Sequence, residues 1–233
     1  DNPPTTKSIK MALILDTSGS MDGLIDQAKA QLWNVVNELA RAKCDGVRPT
    51  MQIAVYQYGN DGLPASEGYI QMVQSLTSDL DEISKSLFAL STNGGSEFCG
   101  QAIQSSLNQL DWNESPEDYK VIFIAGNEGF NQGSVDYKFV CGIAKEKGII
   151  VNTIHCGDFQ AGINGYWKDG ADLTGGKYLS INQNSKTEYI PSPYDQQISN
   201  LNDSLNTTYI QYGANGFYGF SNMSSQDDNA SGY

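Results

Sequence analysis

Short apolar runs recur along this chain and alternate with segments of helical periodicity. MALIL (Met11 to Leu15), the run inside KVIFIAGNE (Lys120 to Glu128) and GIIVNTIHCG (Gly148 to Gly157) each end at turn residues. A strand that is apolar along its whole length is buried on both faces, as strands of a parallel sheet are. Between these runs, Leu24, Ala28, Leu32, Val35, Val36 and Leu39 recur at helical spacing, as do Ile103, Leu107 and Leu110. Val135 to Lys147 reads as a further helix. Parallel strands need crossovers, and helices supply them on both faces. The pattern predicts a doubly wound α/β fold around a mostly parallel central sheet.

The remaining segments refine that picture. MQIAVYQYG (Met51 to Gly59) reads as a strand, with YIQMVQSL (Tyr69 to Leu76) as its hairpin partner and so one antiparallel edge strand. Ser78 or Asp79 caps a helix carrying Leu80, Ile83, Leu87 and Leu90. A short helix over Tyr166 to Leu173 precedes a last strand in GGKYLSI, and Tyr194 to Ile210 reads as a closing helix. Residues 1–7 (DNPPTTK) read as a linker, 8–210 as one domain, and 211–233 as an irregular tail or the stub of a longer protein.

Charge excludes some partners. With 14 Lys+Arg against 27 Asp+Glu, a net charge of −13 repels nucleic acid and anionic membrane. No run of 18 apolar residues offers a membrane span, and no signal peptide is recognisable. Of the four cysteines, Cys44, Cys99, Cys141 and Cys156, none lies in a CxxC, and the single His155 cannot complete a usual zinc set. Buried thiols or one to two disulfides remain, the latter implying an oxidising compartment. His155 and Cys156 are adjacent on a strand, point to opposite faces and do not form a nucleophile pair.

The first apolar run ends in Asp16, with Ser18 and Ser20 following at spacings of two. A carboxylate and two hydroxyls at the end of a buried strand make poor general acids or bases. They suit a hard, hydrated cation such as Mg²⁺, which takes few protein oxygens and keeps waters. Taken alone, Ser18 and Ser20 read equally well as a helix cap and a first-turn polar residue. MALILDTSGSM resembles the D-x-S-x-S start of the metal-ion-dependent adhesion site of von Willebrand factor A domains, and the resemblance extends over Ser8 to Ile210. It implies two more loops. The second offers a Thr after a Gly pair in the family, and Ser96 of GGSEF stands there. The third offers an Asp where the middle strand ends, and Asn127 of IAGNEG stands there. Asn supplies a neutral oxygen, so one of the two family carboxylates is missing, and Glu97 or Glu128 is placed to restore the charge directly or through water.

The resemblance implies a non-enzymatic binding module. Asp16 holds Mg²⁺ (or Mn²⁺ or Ca²⁺) mostly through water, Ser18, Ser20 and Ser96 ligate it, and an acidic side chain of a protein partner completes the octahedron. With the family's strand order, Cys99 and Cys141 fall on one face of the sheet and are expected to pair, with Cys141–Cys156 as the rival and Cys44 left free. That pairing carries an extracytoplasmic location with it. Two alternatives compete: a structural domain that has lost its metal, and an aspartic-type hydrolase. LILDTSGS superficially matches the hydrophobic-Asp-Thr-Gly signature, but Ser18 stands where the glycine belongs and no second copy exists to share a proton.

Overall fold

The computed structural model describes residues 8–41, 48–113, 115, 117–181, 218 and 221 of the 233. The chain divides into two compact units, Asp1–Asn184 and Ser185–Tyr233, and every strand and helix named below belongs to the first. In order these are β1 (Ser8–Asp16), α1 (Ile25–Arg41), β2 (Thr50–Tyr58), β3 (Ile70–Thr77), α2 (Leu80–Phe88) and α3 (Cys99–Gln109). There follow β4 (Tyr119–Gly126), α4 (Tyr137–Glu146), β5 (Ile149–Cys156), α5 (Phe159–Asn164), α6 (Trp167–Thr174) and β6 (Tyr178–Ile181).

The six strands form one sheet in the order β3-β2-β1-β4-β5-β6. Only β3, at one edge, runs antiparallel to its neighbour. Strands step outward in one direction from β1 and in the other from β4, so the winding reverses between them. Open α/β sheets bind ligands in the crevice beyond the carboxyl ends of the strands at such a point. Asp16 pairs with Tyr58, and Leu15 with Ala125, so the segments leaving β1, β2 and β4 emerge side by side at that crevice.

Alternation along the strands splits the apolar side chains into two layers. Ala12 and Ile14 of β1 face a core closed by Ile103 of α3, Val140 of α4 and Trp167 of α6. Met11, Leu13 and Leu15 face a second core, closed by Leu32 and Val36 of α1 and by Ile83 and Leu87 of α2. Each fully buried aliphatic side chain contributes about 1.5–3 kcal/mol. An exposed ion pair such as Arg41–Glu38, at 3.8 Å, contributes about 0–1 kcal/mol. The two apolar layers hold the sheet.

Asp79 is the cap of α2, its Oδ1 accepting the amides of Asp81 at 2.9 Å and Glu82 at 3.3 Å. His155 is buried with its ring 5.7 Å from Trp167, on the opposite side of the sheet from Cys156. One helix is additional: α5 sits between β5 and α6, capped by Asp158, which accepts the Ala161 amide at 2.9 Å. The expected closing helix Tyr194 to Ile210, the tail 211–233, the linker 1–7 and Cys44 lie outside the described residues.

The disulfide expectation needs correction. Cys99 and Cys141 do share one core layer, yet Cys99, Cys141 and Cys156 are all free, buried thiols. Cys156 faces the other layer, so the sheet itself separates it from Cys141. Cys99 Sγ lies 3.4 Å from Tyr58 Oη instead. Burial pushes the Cys141 and Cys156 thiols up to about 12 and Cys99 higher still. Such groups carry almost no thiolate and are chemically inert.

Candidate metal centre

The strand β1 delivers Asp16 to the crevice with no exposed surface. The chain then turns at once, and the Ser18 amide donates to Asp16 Oδ1 at 2.8 Å. A short carboxylate accepting from the backbone two residues on is the usual device for such a turn. A single 3-10 turn, Gly19–Met21, carries Ser20 round to the third loop. There Ser20 Oγ donates to Asn127 Oδ1 at 2.9 Å, and Asn127 Nδ2 donates back to the Ser20 carbonyl at 2.9 Å. Ser18 Oγ and Ser20 Oγ are 2.9 Å apart. A hydroxyl has one proton, and Ser20 has already given its own to Asn127, so Ser18 is the donor in that pair.

Asp16 Oδ2 is buried and has no hydrogen-bond partner. Glycines make the space around it. Gly59, at φ +77°, would place a Cβ 2.9 Å from Asp16 Oδ1 and 3.1 Å from Glu97 Cγ. A Cβ on Gly126 would lie 2.4 Å from Tyr58 Oη and 3.0 Å from Asp16 Oδ2. Glu97 is itself only 8% exposed, and its Cγ, the Ser18 Cβ and Asp16 Oδ1 approach the same point beside Gly59.

The electrostatics follow mainly from burial. Burial raises the Asp16 carboxyl to about 7, against the pull of hydrogen bonds from Ser18 and the Asn127 amide and with the Glu97 charge adding to the rise. Burial also raises Glu97, Ser18 opposes it, and the charges of Glu128 and Asp61 add. A buried anionic oxygen without a donor costs several kcal/mol unless a proton or a cation joins it. The donor set of two carboxylates, hydroxyls and an amide oxygen fits a hard, hydrated divalent cation. Among the described residues, no three of His, Cys, Asp and Glu gather as a metal cluster.

The crevice thus joins Asp16, Ser18, Ser20 and Asn127 through hydrogen bonds and brings Glu97 against them. Ser96, half-buried beside Glu97, has no hydrogen bond to these residues among those described. Glu128 is exposed and turns along its own loop, its Oε2 accepting from Gln132 at 3.3 Å. Sequence reading missed the floor of the site: Tyr58, which donates to the Ala125 carbonyl at 3.2 Å, and the glycines at 59 and 126. Their only signal was position, at the carboxyl ends of strands already identified.

The fold has known relatives. It is similar to that of conserved hypothetical protein BatB from Bacteroides thetaiotaomicron, with TM-score 0.57 and 16% identity over 85% of this chain and 98% of that one. The SpRpn10 VWA domain gives TM-score 0.54 and 16% identity, over 77% of this chain and 90% of that one. Proximal thread matrix protein 1 from the mussel byssus, solved with a zinc-occupied MIDAS motif, gives TM-score 0.56 and 13% identity, over 78% of this chain and 44% of that one. No curated protein matches the sequence. No helix among the described residues is long and apolar enough to cross a membrane. Residues 11–164 match the von Willebrand factor type A domain. The match takes in most of β1 and all of β2 to β5 together with the crevice between β1 and β4, and on it the chain belongs to the von Willebrand factor type A domain family.

Proposed function

We propose that the chain is a recognition module without catalytic activity of its own, presenting a hydrated divalent cation to a carboxylate on a protein partner. The observation that carries this reading is the buried, unpartnered Asp16 Oδ2 at the end of β1. Domains of this family commonly mediate protein–protein interaction and often hold a divalent metal, which supports it. Asp16, Ser18, Ser20 and Ser96 are the residues assigned to hold Mg²⁺, Mn²⁺ or Ca²⁺, with Asn127 contributing a neutral oxygen. When bound, the cation supplies a positive centre with exchangeable waters. Ser18 and Ser20 orient the first loop, and the Ser20–Asn127 pair ties it to the third. No activated nucleophile competes for the role: His155 is buried in the core and the described cysteines are protonated.

One feature favours the alternative of a metal-free structural domain. The reciprocal Ser20–Asn127 hydrogen bonds already join the two loops that a cation would otherwise bridge. Water-proton relaxation of the Mn²⁺-loaded protein separates the two readings. An Asp-bearing peptide is expected to displace Mn²⁺-bound water and lower the relaxation enhancement, whereas the same peptide with Asn in place of Asp leaves it unchanged. Equal responses to both peptides would reject carboxylate recognition, and absence of any enhancement would favour the structural domain.

A further inference from the structure

Asn127 removes a carboxylate from the third loop, yet a second carboxylate stands in the crevice. We propose that Glu97, from the loop before α3, is a direct or water-bridged ligand that restores the charge Asn127 lacks. This rests on the cation reading given above. Glu97 Cγ, Asp16 Oδ1 and Ser18 Cβ converge on one point, lying 3.1, 2.9 and 3.4 Å from where a Gly59 Cβ would be. Only the absence of a side chain at Gly59 lets the Glu97 stem pack this closely against Asp16 and Ser18.

Glu97 has no positive partner among the described residues, whose ion pairs involve other acids. Buried carboxylates are ordinarily paired or coordinate a metal. Here two of them, Glu97 at 8% exposure and Asp16 at 0%, come together beside Ser18. A divalent ion satisfies both and returns the crevice to neutrality. Glu128, the other acid beside a proposed ligand, is exposed and occupied with Gln132, so it does not take this place. With the charge supplied from the second loop, Asn127 keeps the hydrogen bond that its Nδ2 donates to the Ser20 carbonyl, which an aspartate, having no donor, would lose.

The test compares Mn²⁺ affinity, read from the electron paramagnetic resonance of free Mn²⁺, for wild type, Glu97→Gln, Asn127→Asp and the double variant. Thermal unfolding of each in EDTA confirms that the fold is intact. Glu97→Gln is expected to weaken Mn²⁺ about tenfold, as loss of one close charge at high effective dielectric. Asn127→Asp in that background is expected to restore the affinity to within about threefold of wild type by returning the same charge. Wild-type affinity in Glu97→Gln would overturn the proposal and leave the cation reading standing. Weak binding that Asn127→Asp fails to rescue would overturn it too, since Glu97 would then be shaping its loop and not supplying charge. A wild type that binds no Mn²⁺ would remove the cation reading, and this inference with it.

Discussion

In EDTA at pH 8, Asp16→Asn is expected to be more stable than the wild type. The folded Asp16 carboxyl is raised to about 7 from its ordinary 3.8, mainly by burial. Between those values the folded state binds more protons than the unfolded state, so stability falls as pH rises through the window. Above pH 7 the wild type carries the whole penalty, and below pH 4 it carries almost none. Asparagine has the same shape and no charge. The gap between variant and wild type should open from about pH 4 and level off above about pH 7, reaching on the order of 2–4 kcal/mol at about 1.4 kcal/mol per pKa unit. Urea unfolding at several pH values measures it. A variant less stable than wild type at pH 8 would mean that the carboxylate is satisfied inside the protein and needs no counter-charge.

The same proton governs the cation. A metal can occupy Asp16 only after the proton leaves, so binding and deprotonation are coupled. Mn²⁺ affinity should fall about tenfold for each pH unit below 7, steepening where Glu97 also holds its proton, and should be flat above pH 7.5. The direction is opposite to that of the metal-free stability: rising pH weakens the empty fold and strengthens the loaded one. Affinities measured from pH 5.5 to 8.5 in non-chelating buffers give the slope. A profile with no slope across that range would place the ion away from Asp16.

What could be read from the sequence depended on how local the cause was. The strands were legible because continuous burial demands continuous apolarity, and Met11 to Leu15 and Val121 to Ala125 obey it. The first loop was legible because Asp16 and Ser18 are two residues apart, and the turn itself joins them. The pairing of Ser20 with Asn127 spans 107 residues and followed only from knowing which strands lie together. Glu97 could be named as a neighbour of Ser96, but its burial depends on Gly59, which another strand brings across the gap. The disulfide failed for a related reason. Sharing a face constrains two cysteines to one layer, whereas a bond also needs their Cβ atoms about 3.5–4.5 Å apart. Packing used Cys99 against Tyr58 instead. The short helix α5 has only six residues, too few for apolar periodicity to register, and its signal was the single cap Asp158.

The central claim is that Asp16 holds a divalent cation at the end of β1, and calorimetric titration of Mn²⁺ at pH 8 addresses it most directly. Wild type is expected to give a saturable single-site isotherm, and Asp16→Ala none, with both proteins folded by circular dichroism. The same isotherm in both proteins, or no heat from either together with no rise in unfolding temperature at saturating Mn²⁺, would contradict it.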